Sequence, residues 1–484
     1  MAKSARSRTT LSREKKSVKL DNYRFFDPDQ KVGEIALELY KTVKDLPLIS
    51  PHGHVPPNLL ADNEPFPDPT ELILVPDHYL LRMLYSQGIP LESLGIPSVD
   101  GSEVEQDHKK VWQIFADNYY LFAGTPSSVW LEYTFVNVFE IRERLNSKNA
   151  MKFYDSIQRK LLTKSFLPRA LYERFNIEVL TTTDAASDRL TNHEKLKKSG
   201  WKGRVIPCFR PDAATNMMSQ GWMTEINALG EISGIEVSSY RNFIKALENR
   251  REYFKSYGAV STDQGVESTY THRLSDVEAD RIFLHALRGE ATPAEASAFT
   301  AHMLMEMARM SVEDGLVMQI HPGSFRNHNR NLSQRFGADK GADIPVQTEY
   351  TRNMYDLLNE FGNNPNLTIV VFTLDESTYS RELAPLAGHY PALRLGASWW
   401  FHDSIQGMTR YHESITETAG IYNTVGFTDD TRAFMSIPAR HDLARRMDAN
   451  YLASMVARGV VTKRDAETMA RALAYDLAKK AYKL

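Results

Sequence analysis

Cysteine is almost missing from this chain. Its 484 residues include one, Cys208, so no disulfide can form within it. That suits a reducing cytoplasm, which is the expected compartment. No apolar run reaches the ~18 residues of a membrane-spanning helix. An excess of charge is missing too: 58 Lys and Arg against 61 Asp and Glu leave a net −3. There is then no electrostatic case for nucleic acid or an anionic membrane as partner. No Gly-rich phosphate loop occurs, and no Gly-x-Ser-x-Gly nucleophile elbow. Residues 1–20 hold a single acid, Glu14, among bases, Ser and Thr. They lack the apolar stretch of a secretory signal. A flexible basic tail is expected there, with a transit peptide as the alternative.

The chain does contain enough apolar residue to build a large core: 42% hydrophobic against 25% charged. Its length suits one (β/α)8 barrel carrying insertions. Val32 to Lys44 reads as a helix, followed by a short strand and a Pro-rich stretch with a helix around His78 to Gln87. From about 108 to 175, Val111, Ile114, Phe115, Tyr119 and Phe122 recur at helical spacing, as do Trp130, Tyr133, Phe135 and Val136. Residues 58–175 are therefore read as a mostly helical insertion. Beyond it, strands are predicted at Ile177–Thr182, Arg204–Phe209, Val317–His321, Thr368–Phe372, Leu393–Gly396 and Tyr422–Phe427. Alternation of strands with helices implies a parallel sheet. The last 40 residues read as amphipathic helix. The fold class is α/β: a TIM barrel over residues 21–484, with a helical insertion and a C-terminal helix.

Chemistry in such barrels sits just past the C-terminal strand ends. His52 and His54 follow an apolar run and are flanked by Pro51, Pro56 and Pro57. The i, i+2 spacing puts two imidazoles on one side of an extended chain. They can converge on one ion, and a carboxylate from the last strand can close the site. Asp429 and Asp430 follow the apolar Val425-Gly426-Phe427 and offer that carboxylate. Either is also a natural helix N-cap. His321 ends a buried strand before Pro322-Gly323, as a third ligand, a substrate contact or a core histidine. Arg210 and Arg432 at strand ends suit an anionic substrate, through bidentate carboxylate binding, or a structural ion pair. Tyr79 beside His78 is a phenol with a base next to it. Cys208 lies within a strand and reads as a buried small hydrophobe, not a nucleophile.

Taken in order, several stretches resemble the uronate isomerase (glucuronate isomerase) family, a branch of the amidohydrolase superfamily. They are His52-Gly53-His54, Asp77-His78-Tyr79, Gln319-Ile320-His321-Pro322-Gly323 with Arg326-Asn327-His328-Asn329, Gly396-Ala397-Ser398-Trp399-Trp400-Phe401, and Thr428-Asp429-Asp430-Thr431-Arg432. The resemblance implies a distorted barrel holding one divalent metal, with zinc expected. It implies interconversion of D-glucuronate with D-fructuronate, and of D-galacturonate with D-tagaturonate. Its ligands carry over as His52, His54 and Asp430, with His321 as a weaker ligand or substrate contact. The family spacing of Asp, one residue, Arg selects Asp430 over Asp429.

Moving a proton from C2 to C1 through an enediolate needs a proton carrier, stabilisation of an oxyanion, and a grip on the carboxylate. The expected carrier is Tyr79, backed by His78. Arg432 and the metal would stabilise the charge. Arg210 would contact the polar end of the substrate, Arg381 would hold its carboxylate, and Trp399 or Trp400 would wall the sugar face. The rival readings are a metal-dependent hydrolase, such as a deaminase or lactonase, and a silent sugar-acid binding protein. The expected partner is a small uronate, and the helical insertion offers surface for self-association into a homo-oligomer.

Overall fold

The computed structural model describes residues 18–484, so the expected tail lies almost wholly outside the described residues. Nine strands are present among the described residues: β1 (Leu48–Ser50), β2 (Ile177–Ala185), β3 (Arg204–Arg210), β4 (Ser261–Val266), β5 (Val317–Pro322), β6 (Ser324–Phe325), β7 (Ile344–Pro345), β8 (Ile369–Val371) and β9 (Leu393–Leu395). Seven of them form a curled parallel sheet in the order β1-β2-β3-β4-β5-β8-β9. Helices return the chain between neighbours, as a parallel sheet requires. β6 and β7 form a small antiparallel ribbon above the barrel mouth.

The eighth position departs from expectation. Tyr422–Phe427 is not a strand; Thr424 makes one parallel bridge to Leu395, and Val425 N–H donates to the Leu395 carbonyl. Gly426 is the reason. It takes φ +70°, and a Cβ there would lie 2.5 Å from the Leu473 carbonyl oxygen. The C-terminal helices press against this segment too closely for a regular ladder. The barrel closes beyond it, where His54 N–H donates to the Thr431 carbonyl at 3.0 Å. It is therefore a distorted barrel.

β4 is a strand that the apolar pattern did not predict. Its sequence, Ser-Thr-Asp-Gln-Gly-Val, is polar, yet Ser261 to Gln264 are buried. The expected apolar signal is missing because this strand feeds polar groups into the barrel interior.

Between β1 and β2 the described chain forms helices only, among them His78–Ser86, His108–Asp117, Pro126–Tyr133 and Ala150–Leu161. They bury Trp112, Phe115, Phe122 and Phe153 in a core that continues into the barrel through Leu48, Ile177 and Leu180. Each such side chain contributes roughly 1.5–3 kcal/mol on burial.

The C-terminal end of the chain plugs the barrel floor. Ala478 packs on Ile49, Val179 and Ile206. Tyr482 packs on Val317, Val370, Phe372 and Val425, and its hydroxyl donates to Gln319 Oε1 at 2.8 Å. With the floor sealed, the C-terminal strand ends form the open face. No helix among the described residues is long and apolar enough to cross a membrane.

Candidate active site and metal centre

β1 ends at Ser50, and Pro51 steers the chain out of the ladder, so His52 and His54 stand at the barrel mouth. Their Nε2 atoms lie 3.6 and 3.2 Å from the same oxygen, Asp430 Oδ1. The other oxygen, Oδ2, accepts the Trp399 indole N–H at 2.5 Å. Asp429 points elsewhere: it accepts from Ser50 Oγ at 3.0 Å and from His441 Nε2 at 2.9 Å. Those two bonds occupy both of its oxygens and turn Asp430 towards the histidines. Asp430 takes φ +36°, a state uncommon for residues other than glycine, though Asp adopts it more readily than most. Trp400, Asn327 and Asp339 share positive φ and line the same cavity. Such strain collects where the surrounding structure dictates the placement of functional groups.

Next to these three stands a buried polar cluster. His52 stacks on His321 with ring centres 4.6 Å apart, and His321 stacks on Phe372 at 4.0 Å. His321 Nδ1 lies 2.7 Å from Asp263 Oδ1, so Nδ1 carries the proton and donates it. Nε2 of His321 is buried without a partner. Asp263 Oδ2 takes Arg210 Nη1 at 3.2 Å, while Arg210 Nε donates to Asp212 at 2.7 Å. His52, Asp263 and His321 are close enough to form a second donor group. There, however, the Arg210 guanidinium already supplies the positive charge.

Burial lowers the pKa of His52 and His321 despite nearby carboxylates, so both imidazoles are neutral near neutral pH. Burial would raise Asp430, but the imidazoles of His52 and His54 more than offset it and hold the carboxyl well below its usual range. A divalent cation fits this set. Two imidazole nitrogens and one carboxylate oxygen lie within 4.8 Å of one another, with the unpartnered His321 Nε2 beside them. Neutral nitrogen donors and one carboxylate suit zinc and related ions.

A cavity of about 300 Å³ opens above this centre, at the small end of ligand-pocket sizes (~300–1,000 Å³). Arg210, Arg326 and Arg432 line it, together with His78, Tyr79 and Trp400. Asp77 caps the helix that carries His78 and Tyr79, accepting from the N–H groups of Tyr79 and Leu80. His78 stacks on Tyr79, and its Nε2 is buried without a partner. Burial, with Arg432 nearby, pushes His78 down to about 3. Burial and Asp403 push the Tyr79 phenol well above 10. Arg432 pairs with Asp339 at 2.9 Å and Arg326 with Asp343 at 2.7 Å.

A family model described as glucuronate isomerase matches residues 30–482. A uronate isomerase of Nostoc punctiforme is 55% identical over 462 residues, covering 95% of this chain and 98% of that one. The chain belongs to the glucuronate isomerase family. Among solved structures, glucuronate isomerase from Caulobacter crescentus superposes with a TM-score of 0.95 at 51% identity, covering 96% of this chain and 97% of that one. Uronate isomerase from Thermotoga maritima gives 0.89 at 26% identity, covering 96% of this chain and 100% of that one. Membership sides with an isomerase and not with the hydrolase considered from the sequence.

In this glucuronate isomerase family member, His52, His54, His78, Tyr79, Arg210, His321, Trp399, Trp400, Asp430 and Arg432 all converge on the barrel mouth. Arg381 does not, which corrects the expected carboxylate grip. It sits on the turn Tyr379–Leu383, 57% of its side chain is exposed, and it pairs with Glu382. Glu382 in turn accepts from the Tyr350 and Thr351 N–H groups. Trp399 also differs from a simple wall, because its indole holds the Asp430 carboxylate.

Sequence reasoning missed Asp263, Asp403 and Arg440, and it gave Arg326 no role of its own. Asp263 hid in a strand without apolar signal. Arg440 hid in the helix Ile437–Ala457, which buries Arg440, His441, Arg445 and Arg446 although charged side chains usually mark solvent. Arg326 was visible only as part of the Arg-Asn-His-Asn run.

Proposed function

We propose that this protein is a uronate isomerase that interconverts D-glucuronate with D-fructuronate, and D-galacturonate with D-tagaturonate, in the cytoplasm. The observation that carries the reading is the placement of a His52–His54–Asp430 donor set at the base of a small cavity. That cavity is rimmed by three arginines and a buried phenol–imidazole pair. A sugar acid needs all three components: a Lewis-acid floor, cationic groups for its carboxylate, and a proton carrier.

His52, His54 and Asp430 would hold one divalent ion, zinc by their chemistry, with His321 Nε2 as a weaker fourth donor or substrate contact. A divalent ion held there would supply Lewis-acid stabilisation for negative charge developing on the substrate oxygens. Arg432 adds fixed positive charge on the same side. Tyr79 carries the proton from C2 to C1. Neutral His78 passes the hydroxyl proton from O2 to O1. Arg326 takes over the role expected of Arg381 and pairs with the C6 carboxylate in exchange for Asp343. Arg210 orients the polar end, and Trp400 walls the sugar face and excludes water. The helical insertion is the surface for any self-association.

The test is an NMR time course with D-glucuronate and D-galacturonate in D2O, with metal-loaded and chelated protein. Ketose carrying deuterium at the exchanging carbon, lost on chelation and restored by zinc, is the expected result. Ketose formed without deuterium would replace proton transfer through an exchangeable carrier with a shielded transfer. No turnover of either uronate by metal-loaded protein would overturn the reading.

A further inference from the structure

The Tyr79 hydroxyl has two neighbours that are both acceptors in their ordinary forms. It lies 2.9 Å from the Trp400 carbonyl oxygen and 3.1 Å from Asp403 Oδ2. A phenol has one hydrogen, and neither a carbonyl nor an ionised carboxylate has one to give. With Asp403 ionised, Tyr79 can only share its one hydrogen between the two; both contacts are full two-centre hydrogen bonds when Asp403 carries a proton and donates it to the Tyr79 oxygen. When Asp403 is ionised, Tyr79 donates to it instead. The geometry therefore supports two proton positions between the same two oxygens.

The surroundings of Asp403 keep both within reach. It is 6% exposed, and burial favours the neutral acid. Arg440 Nη1 donates to Oδ2 at 2.6 Å and favours the carboxylate. Arg440 is itself fixed by Ser436 Oγ at 3.1 Å and by stacking 3.6 Å over the Trp130 ring. Asp430 also opposes ionisation, and Asp403 is pushed up to about 7. Its second oxygen, Oδ1, is buried without a partner, and the residue lines the cavity beside Tyr79.

A buried phenol whose pKa lies well above 10 is a poor base on its own at neutral pH. We propose that Asp403 is the proton store of Tyr79, so that the two side chains act as one acid–base couple in the isomerisation. This rests on the isomerase reading above. As the C2–H bond breaks, the proton passes to the Tyr79 oxygen, and the Tyr79 hydroxyl proton passes to Asp403 Oδ2. The electron pair stays on the substrate as the enediolate. In the second half, Asp403 returns its proton to Tyr79, and Tyr79 delivers one to C1. Each O–H bond broken is matched by one formed, and both side chains end as they began.

The test uses the metal-loaded full-length enzyme and a double-mutant cycle. Asp403→Asn and Tyr79→Phe are each expected to lower kcat for D-glucuronate at least ~100-fold, with KM within about threefold. The double variant is expected to be no slower than the worse single one, because groups acting as a unit are not additive. Wild-type kcat is expected to fall on the acid side as Asp403 gains its proton, and that limb should vanish in Asp403→Asn. Asp403→Glu should restore part of the rate with a displaced limb, and it replaces Asp403→Asn if the latter does not load metal. A double variant whose loss is the product of the singles would overturn the proposal, and so would an Asp403→Asn enzyme within threefold of wild-type kcat. Either result leaves the isomerase reading intact. A wild-type enzyme inactive on both uronates would overturn the two together.

Discussion

Replacing Asp263 by Asn tests whether the polar strand β4 supports the metal centre. The substitution keeps the volume and removes the charge. In the native protein Asp263 is 1% exposed and accepts from His321 Nδ1 at 2.7 Å and from Arg210 at 3.2 Å. Hydrogen bonds to charged groups contribute ~1.5–3 kcal/mol each, and removing one partner of a buried ion pair costs ~3–5 kcal/mol. Arg210 keeps Asp212 at 2.7 Å, which offsets part of that loss. The expected cost to the metal-free protein is therefore about 2–4 kcal/mol, read by equilibrium urea unfolding. His321 also loses the acceptor that fixes its tautomer. Loss of such supporting partners typically lowers metal affinity ~10–100-fold. A competition titration against a chromophoric chelator measures that fall. If stability stays within ~0.5 kcal/mol and zinc affinity within about threefold, Asp263 is not the support described here.

Trp399→Phe keeps the aromatic wall but removes the N–H held by Asp430 Oδ2; zinc affinity should fall roughly tenfold, with little change in the far-UV spectrum. Arg326→Ala should raise KM for D-glucuronate more than tenfold, while Arg381→Ala should leave it within about twofold; steady-state kinetics with the reverse ranking would restore Arg381 as the carboxylate grip. His78 has a folded-state pKa of about 3, below its ordinary 6.5. The unfolded chain then binds more protons, so stability is full above pH 6.5 and declines as pH falls towards 3. His78→Gln should flatten that acid limb in pH-dependent urea unfolding, and an unchanged limb would show that His78 is not the titrating group.

The comparison between sequence and fold turns on which residues carry an apolar signal. β2, β3 and β5 were legible because each carries a run of buried apolar residues, Ile177, Val179 and Leu180 in β2, Ile206 and Phe209 in β3, and Val317, Met318 and Ile320 in β5, and their observed ends extend the predicted ones by only a few residues. β4 was not, because Asp263 and Gln264 replace the apolar pattern that marks a buried strand. The predicted strand at Tyr422–Phe427 failed for the opposite reason. Val425 is buried as expected, but Tyr422 is exposed, and Leu473 crowds Gly426 and prevents pairing. At the site, the proline-flanked His52 and His54 announced themselves by spacing. Asp403 had no comparable signal, since a lone acid before Ser404 reads equally well as a turn.

Local sequence thus determined the composition of the centre: two histidines past one strand, an Asp pair and an arginine past another, and a Tyr behind a capping Asp. These depend on short-range rules, namely strand periodicity, proline termination and helix capping. Tertiary structure alone decided which groups meet. Asp430 faces the histidines because Ser50 and His441, 379 and 12 residues away, occupy Asp429. Asp403 meets Tyr79 across 324 residues, and Arg440 balances its charge. Arg381 is excluded because its own side chain points to solvent and pairs with Glu382, while its neighbours Tyr379 and Leu383 are buried. Such pairings are fixed by burial, since a polar group taken from water must find a partner wherever the fold brings one, at any distance along the chain.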